Sequence, residues 1–192
     1  MKYFFGILAF IAAIVVVILL ATSLFRGFGT APASSYTQTV TLTDENIIDS
    51  VARYVMTGPV VAKENYQEVR ITISKNARTL EVVNGYQGDV VQTQTLQNTE
   101  DAYRAFLGAL SAANFSYKRD TGEIDPRVTC VTGQKYYYVL QVESEKKVDT
   151  WSTSCASSQG NYGGLAEPTF QLFQAQIPNY AELTRGVSLA AY

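Results

Sequence analysis

The sequence predicts an α+β domain, largely antiparallel in its sheet, carried behind a membrane-spanning helix. Three observations predict it. Tyr3 to Phe25 runs for twenty-three residues without a charge. After it, short segments alternate polar with β-branched or aromatic residues, the period-2 pattern of half-buried strands. Between them lie stretches with apolar residues three and four apart, the spacing of amphipathic helices.

The first run comes first in the chain. At about 1.5 Å per residue, a helix of that length crosses a hydrocarbon core of about 30 Å. Lys2 precedes it and Arg26-Gly27 ends it, so the flanking charges balance and give no orientation. The two cysteines farther on do, because structural disulfides persist outside the cytosol. They place the N-terminus inside and the domain outside. A cleavable signal peptide has an apolar core of about 7–15 residues. The longer run therefore predicts an uncleaved anchor over 1–26, even though Ala31-Pro32-Ala33 offers a small-x-small site. The basic residue, Gly6 and the long apolar helix are similar to the start of type IV pilins. However, Ile7-Leu8-Ala9-Phe10-Ile11 lacks the glutamate that family carries fifth after its cleavage site, and no amphipathic helix continues past Arg26. Residues 27–35, rich in Gly, Ala, Pro and Ser, read as a flexible stalk, and 36–192 as the extracytoplasmic domain.

Composition narrows what that domain can be. Mean hydropathy is near zero because the apolar run offsets a polar remainder. Beyond Arg26, thirteen lysines and arginines face seventeen acids, a net charge of −4. No basic face points to nucleic acid. The chain has no histidine, which removes the commonest general base and the commonest metal ligand. Cys130 and Cys155 make an even pair, expected to form a disulfide.

In chain order, Tyr36–Leu42 reads as a first, edge strand. Thr43 caps a helix whose stripe is Ile47, Ile48, Val51, Tyr54 and Val55, ended by Gly58-Pro59. Three strands follow: one through Val69, Ile71 and Ile73, one through Leu80 and Val82, and one from Asp89 to Leu96. A second helix starts at Asn98 and carries Tyr103, Phe106, Leu107 and Leu110. After a charged loop, Lys118–Arg127, come strands at Val128–Thr132, Tyr136–Glu143 and Val148–Ser154. A C-terminal helix opens at Pro168 with Phe170, Phe173 and Ile177. The order helix, three strands, helix, three strands reads as a duplicated α-β-β-β unit. It is similar in topology to paired PepSY-type and β-lactamase-inhibitor-type domains, a resemblance that implies a fold and no function.

The candidate chemistry is sparse. Ser144-Glu145-Lys146-Lys147 matches S-x-x-K, but a lysine base has to be desolvated and a charged hairpin turn does not do that. Asp120, Glu123 and Asp125 supply carboxylates in the 118–127 loop, without the spacing of a calcium loop. In Tyr136–Glu143, the residues Tyr136, Tyr138, Leu140 and Val142 should face the core, leaving Tyr137, Val139, Gln141 and Glu143 on the other side. Trp151 is expected near Val139 on that second side. Tyr137, Trp151 and, from the Gly/Ser loop 157–164, Tyr162 are the candidate binding residues, because Tyr and Trp join an apolar body to a polar tip.

If the three last strands formed a simple meander, Cys130 and Cys155 would lie two strand spacings apart, about 10 Å. A disulfide needs less than about 7 Å. Either the strand order is not a simple meander, or Cys155 leaves its ladder and folds across Tyr137; the second is expected, because 157–164 lets the chain bend there. The expected function is a single-pass, membrane-anchored binding, assembly or envelope-maintenance module with no cofactor and no metal. Its partners would be the membrane, through Tyr3–Phe25, and another envelope protein, a peptide or a glycan. The alternative is a surface or cell-wall hydrolase using the carboxylates of the 118–127 loop.

Overall fold

The structure is a computed structural model and describes residues 35–122, 124–156 and 160–189. The anchor 1–26 and all of the stalk but Ser35 lie outside the described residues. No helix among the described residues is long and apolar enough to cross a membrane.

The domain is a largely antiparallel sheet with a few helices. Its strands are β1 (Tyr36–Gln38), β2 (Val51–Thr57), β3 (Gln67–Ser74), β4 (Ala77–Asn84), β5 (Asp89–Gln97), β6 (Tyr117–Arg119), β7 (Lys135–Val142) and β8 (Glu145–Thr153). Six of them make one sheet in the order β5-β4-β3-β2-β7-β8, every pair antiparallel, while β1 and β6 form a separate two-stranded ribbon. The helices are α1 (Glu100–Ala112), α2 (Ala166–Ala175) and α3 (Tyr180–Leu183).

Helix α1 starts where Thr99 Oγ1 accepts the backbone N–H of Ala102, one residue later than the cap expected at Asn98. Glu100 and Asp101 in its first turn suit the positive end of the helix dipole. Its stripe of Tyr103, Phe106, Leu107 and Leu110 is buried against one face of the sheet. From that face rise Ala52 and Tyr54 of β2, Val69, Ile71 and Ile73 of β3, Leu80 and Val82 of β4, Tyr138 and Leu140 of β7, and Val148 of β8. Phe173 of α2 closes the layer. Its ring centroid lies 5.1 Å from Phe106 and 5.6 Å from Tyr54.

The buried hydroxyls are satisfied locally, as buried polar groups must be. Tyr103 Oη donates to the Ser50 carbonyl at 3.0 Å, and Tyr138 Oη pairs with Ser152 Oγ at 2.9 Å. Burial pushes the Tyr103 and Tyr138 phenols up to about 12. One hydroxyl is an exception. Thr150, opposite Tyr138, is 2 % exposed, and its Oγ1 finds no hydrogen-bond partner among the described residues. Thr150→Val keeps the shape and removes the orphaned group. It should stabilise the domain by about 1 kcal/mol, read as a rise in the urea midpoint at unchanged m.

The sequence reading is corrected in several places. The helix expected after Thr43 is a three-residue 3-10 turn, Glu45–Ile47, followed by β2. Val51 to Thr57 also alternates with period 2. Ala52 and Tyr54 point to the core, and the strand bonds to β3 on one side and β7 on the other. A central place in the sheet therefore overrides the helical spacing of the same apolar residues. With that helix gone, the duplicated α-β-β-β unit is gone too: four strands, β2 to β5, precede α1. The order no longer matches the paired domains to which the sequence was likened.

Val128–Thr132 is not a strand. Both sides of β7 are taken, by β2 and by β8, so no ladder is open to it. Cys130 instead sits in a turn at φ 51°, and Val128 and Val131 are exposed. The tight turn of the β7–β8 hairpin falls at Glu143-Ser144, earlier than Glu145-Lys146-Lys147. The first strand is three residues long and lies in the ribbon rather than at an edge of the main sheet.

Candidate functional site

Helices cover one face of the sheet and leave the other open. Antiparallel register sets what that open face shows. Across β3, β2, β7 and β8 the first row is Glu68, Thr57, Lys135 and Thr153, and the next is Arg70, Val55, Tyr137 and Trp151. A third row holds Thr72, Arg53, Val139 and Asp149, and a fourth Ser74, Val51, Gln141 and Lys146, the last brought in by a bulge after Leu140. The rows alternate apolar floor with charge. Their β7 members, with Arg53, Val55 and Thr57 of β2, form the bed of a groove of about 540 Å³.

Two loops wall the groove at the Lys135 end. Gly58, Pro59 and Val60 follow β2, and the Val60 N–H donates to the Val131 carbonyl at 2.8 Å, joining this loop to the one that carries Arg127. Tyr86 stands at the rim, 52 % exposed, with its ring 4.2 Å from that of Tyr66. Its hydroxyl accepts the Val61 N–H at 3.1 Å and donates to the Val61 carbonyl at 2.7 Å. Tyr66 in turn donates to Glu68 Oε2 at 3.2 Å, and Arg70 Nε holds Oε1. Burial, and then the Glu68 charge, push the Tyr66 phenol well above its ordinary value.

Most of the charges here are paired. Arg127 grips Asp125 through Nε and Nη2, and these hydrogen bonds hold the Asp125 carboxyl below its ordinary value. Lys146 Nζ reaches Asp149 at 2.8 Å. Lys135 differs. The residue is 6 % exposed, and its ammonium makes no hydrogen bond or ion pair to a described residue. Burial lowers its pKa, against the opposing pull of Asp125.

Of the three candidate binding residues, Tyr137 and Trp151 are cross-strand neighbours on the open face, and Tyr162 lies on the other side of the sheet. Tyr137 lines the groove, and burial followed by Glu68 raises its phenol. Trp151 lies directly opposite Tyr137, one residue from the Val139 register expected, and is 6 % exposed. Residues 160–162 run along its strand. Trp151 N–H donates to Asn161 Oδ1, and Trp151 carbonyl accepts the Tyr162 N–H. Gly160, at φ +71°, lies so close that a Cβ there would sit 2.3 Å from the Trp151 carbonyl oxygen. Tyr162 is 2 % exposed on the core side, its ring stacked 3.6 Å from Tyr138 and its hydroxyl on Thr169.

The other candidate chemistry is dispersed. Ser144 lies in the hairpin turn, and Lys147 and Lys146 pair with Glu145 and Asp149. Asp120 Oδ1 accepts the Gly122 N–H, the Asp125 carboxyl is bonded to Arg127, and Glu123 lies outside the described residues. No cluster of three Cys, Asp or Glu among the described residues could hold a metal ion. What sequence reasoning missed was Lys135, Arg53, Tyr66 and Tyr86. The signal for Lys135 was its place two residues before Tyr137 on the same face, and for Arg53 its period-2 position in a segment read as helix. No family model matches the chain, and no curated protein does either.

Proposed function

We propose that this protein is a binding module held outside a membrane by Tyr3–Phe25, with the open-face groove as its binding surface. The observation that carries the reading is the groove itself. It is a concave bed with an apolar centre of Val55, Tyr137 and Val139 and a few converging polar groups, on the sheet face that no helix covers. The disulfide between Cys130 and Cys155 supports an oxidising compartment, and therefore a domain outside the cytoplasm. The uncharged run of twenty-three residues supports the anchor.

Two measurements on the full-length chain test this. The protein should stay with membranes after a carbonate wash, and its C-terminal part should be cut by protease added outside the cell. In detergent, ligands drawn from glycan and peptide panels should raise the melting temperature of the wild type and leave Val139→Arg unmoved, since the larger side chain fills the groove floor. Shifts that survive Val139→Arg unchanged would take the groove out of the reading.

A further inference from the structure

We propose that the Lys135 end of the groove is a carboxylate subsite, and that the groove takes an acidic oligosaccharide, its sugar rings against Tyr86 and Tyr137. The inference rests on reading the groove as a binding surface and names the ligand class.

Lys135 carries the argument. A lysine can bury its stem along a surface while its ammonium stays in water. Here the residue is 6 % exposed and lines the groove, its Nζ keeps contact with the groove's solvent, and that ammonium has no hydrogen-bond or ion-pair partner among the described residues. Thr57, its neighbour across the ladder, turns its side chain into the same space. A carboxylate entering there would give the ammonium the charge-assisted hydrogen bond it lacks.

A second lining cation, Arg53, is exposed rather than buried, and it too forms no ion pair among the described residues. The only hydrogen bond of its side chain to a described residue is Nε to Thr72 Oγ1 at 3.4 Å. Arg53 lies four residues along β2 from Thr57, about 13 Å at strand rise. The groove therefore presents unpaired positive charge at two points along its length. The other lining cations, Arg127 and Lys146, are neutralised by Asp125 and Asp149.

Two further features favour a sugar over a peptide. Tyr86 is a ring fixed while exposed: both hydrogen bonds of its hydroxyl go to Val61, and Tyr66 backs its face. A pre-set aromatic surface of that kind suits the apolar face of a sugar ring, with little ordering left to do on binding. An extended peptide gains affinity by adding a strand to a sheet edge. The groove bed is β2 and β7, which bond to each other and to β3 and β8, so their backbone groups are already used. What remains for hydrogen bonding are side chains such as Thr57 and Gln141.

Calorimetry on the full-length protein in detergent tests the proposal, with tetragalacturonate, neutral galactotetraose and tetraglutamate as probes. The wild type should bind tetragalacturonate, and the neutral sugar and the peptide at least tenfold more weakly. Lys135→Met should lower the affinity for tetragalacturonate at least tenfold with the melting temperature held or raised. Arg53→Gln, on the groove surface, should lower it about threefold and serves as the independent variant if Lys135→Met does not fold. No heat with tetragalacturonate, or affinity unchanged in both variants, overturns the proposal. Tetraglutamate bound as tightly, with the same dependence on Lys135, overturns the sugar and leaves the groove as a binding surface. A neutral glycan or peptide whose binding is lost in Val139→Arg but kept in Lys135→Met does the same. Only ligands indifferent to Val139→Arg would remove the binding surface along with the subsite.

Discussion

Ile71→Asp is expected to lower the stability of the domain by about 3–6 kcal/mol, the largest loss of any single change considered. Ile71 is fully buried at the middle of β3, opposite Tyr54 on β2 and Leu80 on β4. Removing the side chain forfeits about 1.5–3 kcal/mol of apolar burial. The carboxyl that replaces it lies among apolar neighbours, since the Arg78 guanidinium on this face is engaged by the Gln97 and Gln176 carbonyls, and an unsatisfied buried polar group adds about 1–3 kcal/mol or more if it stays charged. A domain of this size is stable by about 5–15 kcal/mol, so one change of this kind uses up much of the margin. The neighbouring Thr72→Asp is the control. Thr72 points to the open face beside Arg53, where a carboxylate meets water and a guanidinium, and the effect should stay within about 0.5 kcal/mol. Far-UV circular dichroism and urea melts separate the two. A larger loss for Thr72→Asp than for Ile71→Asp would mean that the faces of β3 are assigned the wrong way round.

That contrast also shows what could be read from the sequence. The faces of β3, β4 and β7 were legible because each strand has one apolar and one polar side, and period 2 leaves no second answer. Helix α1 was legible because Tyr103, Phe106, Leu107 and Leu110 recur at helical spacing behind a polar cap, which was placed one residue early, at Asn98 instead of Thr99. Val51–Thr57 was misread because Val51, Tyr54 and Val55 satisfy helical spacing while Ala52, Tyr54 and Met56 satisfy strand spacing. Only the partner strands decide between them, and β7 lies about eighty residues away along the chain. The groove was half legible for the same reason. Tyr137 and Val139 could be placed on an outer face, but the residues that complete the bed come from β2, and Tyr66 and Tyr86 come from beyond either end of the β3–β4 hairpin. Trp151 could be placed on the correct face. What a local pattern could not show was that residues 160–162 would return along the edge of β8.

The disulfide was expected, and the obstacle to it came from the misread strand. Neither cysteine belongs to a ladder: Cys155 lies beyond the end of β8, off its ladder as expected but beside Gly133 instead of across Tyr137, and Cys130 sits in the turn before β7, so their Cα atoms are 5.8 Å apart. Cys130→Ala/Cys155→Ala is expected to lower stability by about 3.5 kcal/mol, the chain-entropy value for a loop of this length. Gly133 supplies a sharper test. A Cβ there would lie 2.4 Å from Cys130 Sγ and 2.9 Å from Cys155 Sγ, so Gly133→Ala must displace the bridge or its own backbone. Gly133→Ala should therefore be costly in the oxidised wild type and much milder once both sulfurs are gone, a coupling of about 1 kcal/mol or more in a double-mutant cycle. Urea midpoints of the four proteins measure it. Additive effects would mean that the glycine is needed for its turn rather than for the sulfurs. The bridge also ties the loop bearing Arg127 to the end of β8, and Val131 in that loop holds Val60. Groove ligands should accordingly bind the disulfide-free variant more weakly than its residual stability alone would explain, because the wall beside Lys135 has lost its anchor.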